Sequence, residues 1–218
     1  MVPAKNDPIS REYRKYIETT YSLVPKDELE RIIENLVSIM EIGQDARQPL
    51  KATLEQVAKA VSRLFGFSEV GIGLKDRKAD LWRYVVLYGF AKETEATVSK
   101  VRYNRADMFS QETFPNVKTG RLSELNPVEG MPLIETDKYG RPFKWGQPRR
   151  AMDEFHAGDF LDFWMYDNKK DIIGWIEVSA PRSGKQPPRI DVRWIELFAS
   201  ACAYIVRLRW LEEDLLRG

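Results

Sequence analysis

Three groups of residues have types and spacing that could do chemistry. The first lies in DIIGWIEVSAPRSGKQPP, Asp171 to Pro188, where a glycine and a lysine follow an apolar run in the manner of a phosphate-binding loop. Against the pattern G-x-x-x-x-G-K-[ST], taking Gly184 and Lys185 as the GK pair puts Ser179 at the first glycine and Gln186 at the magnesium-binding hydroxyl. Pro187 and Pro188 follow at once, so the loop does not run straight into a helix whose terminal amides would hold an anion. The stretch reads as a strand-to-helix connector, with Arg182, Lys185 and Arg189 left as a basic rim.

The second group is His156 among the acids Asp153, Glu154, Asp159 and Asp162. An imidazole there could act as a general base or bind a haem iron. Standing alone, it reads instead as a solvated loop residue, and the acids as caps and surface charges. Asp162 differs, because strand alternation puts it between Phe160 and Trp164, where a buried carboxylate needs a partner. The enzymatic reading of this group is a small acid/base hydrolase using Asp159, Asp162 and His156. The third candidate, Cys202, falls on the apolar side of a helix, where a thiol usually behaves as a small hydrophobe.

Composition narrows the classes. Lys and Arg total 34 against 33 Asp and Glu, so the net charge of +1 gives no field to attract nucleic acid or an anionic membrane. One cysteine and one histidine exclude an intramolecular disulfide and a structural zinc site, and fit a reducing, cytoplasmic setting. The N-terminus MVPAKNDPISREYRKYIETTY lacks the apolar core of a signal peptide, and nowhere do about 18 apolar residues run together.

The elements that must position these groups follow from periodicity. Residues 1–24 form a polar arm with a short helix after Ser10. A helix over 25–44 presents Leu29, Ile32, Ile33, Leu36, Ile39 and Met40 on one face. A second, opened by Pro49, carries Leu50, Leu54, Val57, Ala58, Val61, Leu64 and Phe65 and stops at Gly66. SEVGIGLKD and LWRYVVLYGF make a strand hairpin whose glycines allow close approach on one face. Residues 91–158 are irregular, with Phe109, Phe114, Tyr139, Phe143 and Trp145 among turn residues, which suits binding loops or a lid. DFLDFWMY and the strand ending at Ser179 form a second hairpin. A final helix capped by Asp191 and running to Leu216 buries Ile195, Phe198, Cys202, Ile205 and Val206 and spans about 39 Å. Its apolar side continues through Leu208, Trp210, Leu211, Leu215 and Leu216, which asks for a partner.

The order helix, strand hairpin, loops, strand hairpin, long helix resembles the GAF domain, a small-molecule-sensing module related to PAS. The end, IIGWIEVSAPRSGKQPPRIDVRWIELFASACAYIV, is similar to the GAF pattern of a closing strand with an early glycine, a PR-x-G-[RK]-x-P loop and an ELFA-x-xAA-x-xI helix; TLEQVAKAVSRLFGFSEVGIGLKD is similar to the family's opening helix and strand. The resemblance implies an α/β (α+β) domain over 45–210 with an antiparallel sheet of five or six strands. Helices would pack on one face, loops over a ligand cavity on the other, and the helix at 25–44 and the extension at 211–218 would serve dimerisation. It also implies a cytoplasmic, non-enzymatic sensory homodimer with a small-molecule ligand or a signalling partner protein. A ligand-free dimerisation scaffold is the further alternative. The several cysteines of the sulfoxide-reducing relatives and the N-K-x-x-F-x-x-x-D-E motif of the cyclic-nucleotide binders are missing, and a lone helix cysteine does not suit bilin attachment. The expected cavity residues are Trp82, Tyr84, Phe109, Phe114, Trp145, His156, Asp162 and Trp164.

Overall fold

A computed structural model describes residues 11–20, 27–45, 47–130 and 149–216. After the short helix α1 (Arg11–Thr20), α2 (Glu28–Gln44) starts at Asp27, whose carboxylate accepts the Glu30 N–H at 2.8 Å. That bond satisfies one of the donors that every helix start leaves open, and Glu28 and Glu30 add charge of the sign the helix dipole favours. Helix α3 (Leu50–Phe65) ends where Gly66 takes a left-handed conformation, φ 72°, and turns the chain into β1 (Phe67–Asp76).

Six strands form one antiparallel sheet in the order β2-β1-β6-β5-β4-β3. The central strands are β1, β6 (Ile172–Pro181) and β5 (Phe160–Tyr166); β2 (Leu81–Tyr88) forms one edge, β4 (Ser123–Asn126) and β3 (Val117–Lys118) the other. Alternation sorts the side chains. Val70, Ile72, Leu161, Phe163, Met165, Ile176 and Val178 face α2, α3 and the last helix, α6 (Arg189–Leu215), and build the main core with Leu54, Val61, Ile195, Phe198 and Ile205. Each such side chain contributes about 1.5–3 kcal/mol through burial.

The irregular middle holds more order than its sequence predicts: helices α4 (Lys92–Val98) and α5 (Arg105–Met108), the two short strands β3 and β4, and a 3₁₀ turn at Val128–Gly130. Strands of two and four residues are too short to show alternation. Helix α6 starts two residues before the expected cap at Asp191. Pro188 is the cap residue, its φ of −55° suited to a helix entry, and Asp191 lies in the first turn. On α6, Ile190, Leu197, Tyr204 and Leu211 follow one another at intervals of seven and are all exposed, as are Leu29, Ile33 and Val37 on α2. No helix among the described residues is long and apolar enough to cross a membrane.

Candidate functional site

The sheet face turned away from the helices carries the polar chemistry. Glu124, Asp162, Glu177 and Gly71 are successive cross-strand neighbours on β4, β5, β6 and β1. Gly71 and Gly73 are flat places on which rings lie. A methyl at Gly71 would stand 2.7 Å from Tyr84 Cε1, and one at Gly73 2.0 Å from Trp175 Cη2. Tyr84 therefore reaches from the edge strand across β1, and its hydroxyl donates to Glu177 Oε2. The Tyr84 and Trp175 rings meet edge-on with centroids 5.0 Å apart, and Tyr103 packs against both.

Beneath these rings is a recess of about 40 Å³ lined by Tyr84, Tyr103, Phe114, Trp164 and Trp175 with Asp162 and Glu177. Asp162 is buried; Oδ2 accepts from Asn126 Nδ2 at 3.0 Å, and Oδ1 has no hydrogen-bond partner. Burial, then the charges of Glu177 and Glu124, push the Asp162 carboxyl well above the usual carboxylate range. Burial also raises Glu177, to about 7, against the pull of the Tyr84 hydrogen bond. Glu177 is half-buried and also lines the adjoining cavity.

That cavity has a volume of about 380 Å³, and Tyr84, Tyr103, Phe114, Phe160 and Glu177 border both spaces. Phe90, Thr94 and Val98 approach from the β2–α4 segment, Glu69, Ser179 and Pro181 from the sheet, and Phe155 to Asp159 from the loop before β5. The loop is clamped. Asp159 accepts the backbone N–H groups of Val128 at 3.0 Å and His156 at 2.8 Å and pairs with Arg149 at 2.9 Å, while Arg149 also holds Glu129 at 2.7 Å. The glycine- and lysine-containing connector after β6 secures the same loop: Gly184 O accepts from Phe155 N at 3.0 Å, Gln186 N donates to Asp153 O at 2.7 Å, and Lys185 pairs with Asp153 at 2.8 Å.

No family sequence model matches the chain, and no curated protein is similar to it in sequence. Solved structures are similar. The GAF domain from an Acinetobacter phosphoenolpyruvate-protein phosphotransferase superposes with a TM-score of 0.51 at 13% identity, over 80% of this chain and 92% of that one. A GAF domain/HD domain protein from Geobacter sulfurreducens gives 0.54 at 11%, over 79% and 98%. The chain has a GAF-like fold. Free methionine-R-sulfoxide reductase from Neisseria meningitidis shares it, with a TM-score of 0.52 at 12% identity, over 86% and 95%. At such identities the likeness is one of fold, and the site must speak for function.

Within this GAF-like fold the sequence candidates separate. Tyr84, Phe114 and His156 line the larger cavity; Asp162 and Trp164 line the recess with Tyr84 and Phe114. Trp82 and Phe109 border neither: Trp82 is fully buried, with Nε1 donating to Ile172 O at 3.3 Å, and Phe109 caps Trp82 and Trp164 from outside. Trp145 lies outside the described residues. His156 is not the solvated residue its isolation suggests. It is 8% exposed, and its Nδ1 donates to Ala157 O at 2.9 Å, because the Asp159 clamp folds the loop inward. Asp159, at 1% exposure, is likewise no surface charge.

Asp159 and His156 face the larger cavity whereas Asp162 faces the recess, and both Asp159 oxygens are occupied by the clamp, which gives the hydrolase reading no support. Cys202 is buried in α6 with the core packed on the helix side, and burial pushes its thiol up to about 12. Sequence reasoning missed Glu69, Tyr103 and Glu177. Alternation along IIGWIEVSA, which sets Trp175, Glu177 and Ser179 on one face, carried the signal for Glu177.

Proposed function

We propose that the chain is a non-enzymatic sensory or regulatory domain of the cytoplasm that binds a small molecule in the 380 Å³ cavity and transmits occupancy through its helices. The cavity carries the reading: its volume lies in the range of small-molecule sites, its walls are mostly apolar, and a few polar groups converge on it. The GAF-like neighbours, several of them parts of phosphotransferase and chemotaxis proteins, support a regulatory role. The buried, weakly acidic Cys202 argues against a thiol-based reductase, since the thiolate is the reactive form.

Coupling to the helices has a physical route. Asn126, which holds Asp162, shares strand β4 with Ser123, and Ser123 Oγ donates to Glu196 of α6 at 2.9 Å, as does Leu122 N at 2.8 Å. A ligand that moves Asp162 pulls on the strand that α6 grips. The exposed seam on α6, four residues spaced seven apart and extended by Leu215, then supplies a surface for a second copy of the chain, and a signalling protein would read the changed helix packing.

Thermal unfolding of the purified chain against a library of neutral, cationic and anionic metabolites tests the proposal. A subset should raise the midpoint by several degrees, and that rise should disappear in Val98→Trp, which fills the cavity. No stabilising compound in the library would overturn the reading.

A further inference from the structure

We propose that the ligand is a primary ammonium compound, its charged head between Asp162 and Glu177 in the recess and its apolar body in the larger cavity. The inference rests on the reading of that cavity as a ligand site and adds the chemical class.

Asp162 Oδ1 is buried without a hydrogen-bond partner, so once its carboxyl is ionised the recess presents an acceptor in need of an N–H or O–H donor. Charge selects among donors. Glu69, Asp162 and Glu177 line the two spaces, and their bonds come from the neutral groups Ser179, Asn126 and Tyr84. Among the described residues none of the three forms an ion pair with lysine, arginine or histidine. Among the described residues no lysine, arginine or histidine lines the recess, whose acids disfavour phosphate or carboxylate groups.

Size and walls complete the match. About 40 Å³ holds one group of roughly water or ammonium size, a water occupying about 30 Å³ in the liquid. Six aromatic side chains line it, and the faces of such rings attract cations. An ammonium offers three N–H donors, enough for Asp162 and Glu177 together. The larger cavity accepts a body the size of a phenylethyl or indolylethyl group.

A proton accompanies the binding. Among the described residues, Glu124 from β4, Glu69 from β1, Tyr84 from β2 and Tyr103 from the segment above face the pair, and His156 and Asp159 from the loop before β5 line the larger cavity with Glu177; none is a lysine or arginine. Like charges directly opposite in a ladder favour a retained proton, which the ammonium displaces into solvent.

Isothermal titration of the full chain at neutral pH, in phosphate and in HEPES, tests this with hexylamine, 2-phenylethylamine and tryptamine against hexanol, 2-phenylethanol and tryptophol. At least one amine should bind about tenfold or more tightly than its alcohol, with a buffer-dependent heat that reports proton release. Asp162→Asn and Glu177→Gln should each bring amine and alcohol to parity. Asp162 is buried and Glu177 half-buried, and far-UV circular dichroism verifies the fold of both variants; should one fail to fold, the other decides. Alcohols that bind as tightly as amines would overturn the ammonium assignment and leave the cavity reading standing. An amine preference that persists in both variants would overturn the placement. Absence of binding by every amine and alcohol overturns the ammonium assignment, and only a blank library screen as well removes the cavity reading.

Discussion

Asp162 of β5 stands directly opposite Glu177 of β6 in the antiparallel ladder, two acids facing each other beneath a roof of aromatic rings. Carboxylates on directly opposite ladder positions repel when both are charged, so the folded state favours protonation.

Stability should accordingly fall between pH 5 and pH 8. Both acids are raised in the folded state, so the contribution of their protonated form is complete below the ordinary carboxylate range and is lost as pH rises through about 7, the value for Glu177. Acids held low by partners, such as Asp76 and Glu129, act with the opposite sign, and their contribution builds up through the ordinary carboxylate range and below it. Urea unfolding should show a loss on the order of 1–2 kcal/mol over this window, allowing for the part of Glu177 open to the cavity. Asp162→Asn should flatten the profile, and an unchanged slope in that variant would count against the pair.

Gly71→Ala should disturb the site without touching an acid. The new methyl meets the Tyr84 ring at 2.7 Å and forces it away from Glu177. The expected cost is about 1–3 kcal/mol, as for other overpacked sites. Tyr84→Phe removes the hydroxyl but keeps the ring and should cost less; equal losses would mean that the ring's placement over β1 matters little.

The seam on α6 predicts self-association. Leu197→Glu combined with Tyr204→Glu places charges on two exposed seam positions and leaves the core face of the helix intact. Sedimentation should show a dimer for the unaltered chain and a monomer for the double variant, the dissociation constant weakening by on the order of 100-fold or more, with unchanged circular dichroism. A wild-type chain that sediments as a monomer at micromolar concentration overturns the dimer.

How much of this was legible in the sequence depended on element length and on isolation. The alternation of β5 assigned Asp162 to a buried face beside Phe160 and Trp164, and the paired glycines of β1 announced a close approach that Tyr84 and Trp175 make. The long periodic helices were readable for the same reason: a dozen or more residues repeat one pattern. Strand β4 was not, because four residues, SELN, carry no period, yet its Asn126 and Ser123 join Asp162 to Glu196. His156 was misplaced because burial of a lone histidine depends on a clamp made by Asp159 and Arg149, and sequence spacing alone does not show which loop folds inward. Trp82 and Phe109 have the composition of a cavity wall and the geometry of a packed block, a difference that only side-chain direction decides.

Among the described residues, the tryptophans fall into two sets on opposite faces of the sheet. Trp164 and Trp175 border the acidic recess with Trp82 packed beside them, while Trp194 and Trp210 ride on α6 among the helices. The described residues thus hold two intrinsic fluorophore groups, one whose emission responds to what enters the recess and one that responds to what meets the long helix. With Trp145 replaced by phenylalanine, selective replacement of either set separates the two optical signals, so occupancy and assembly are readable in the same cuvette without a label.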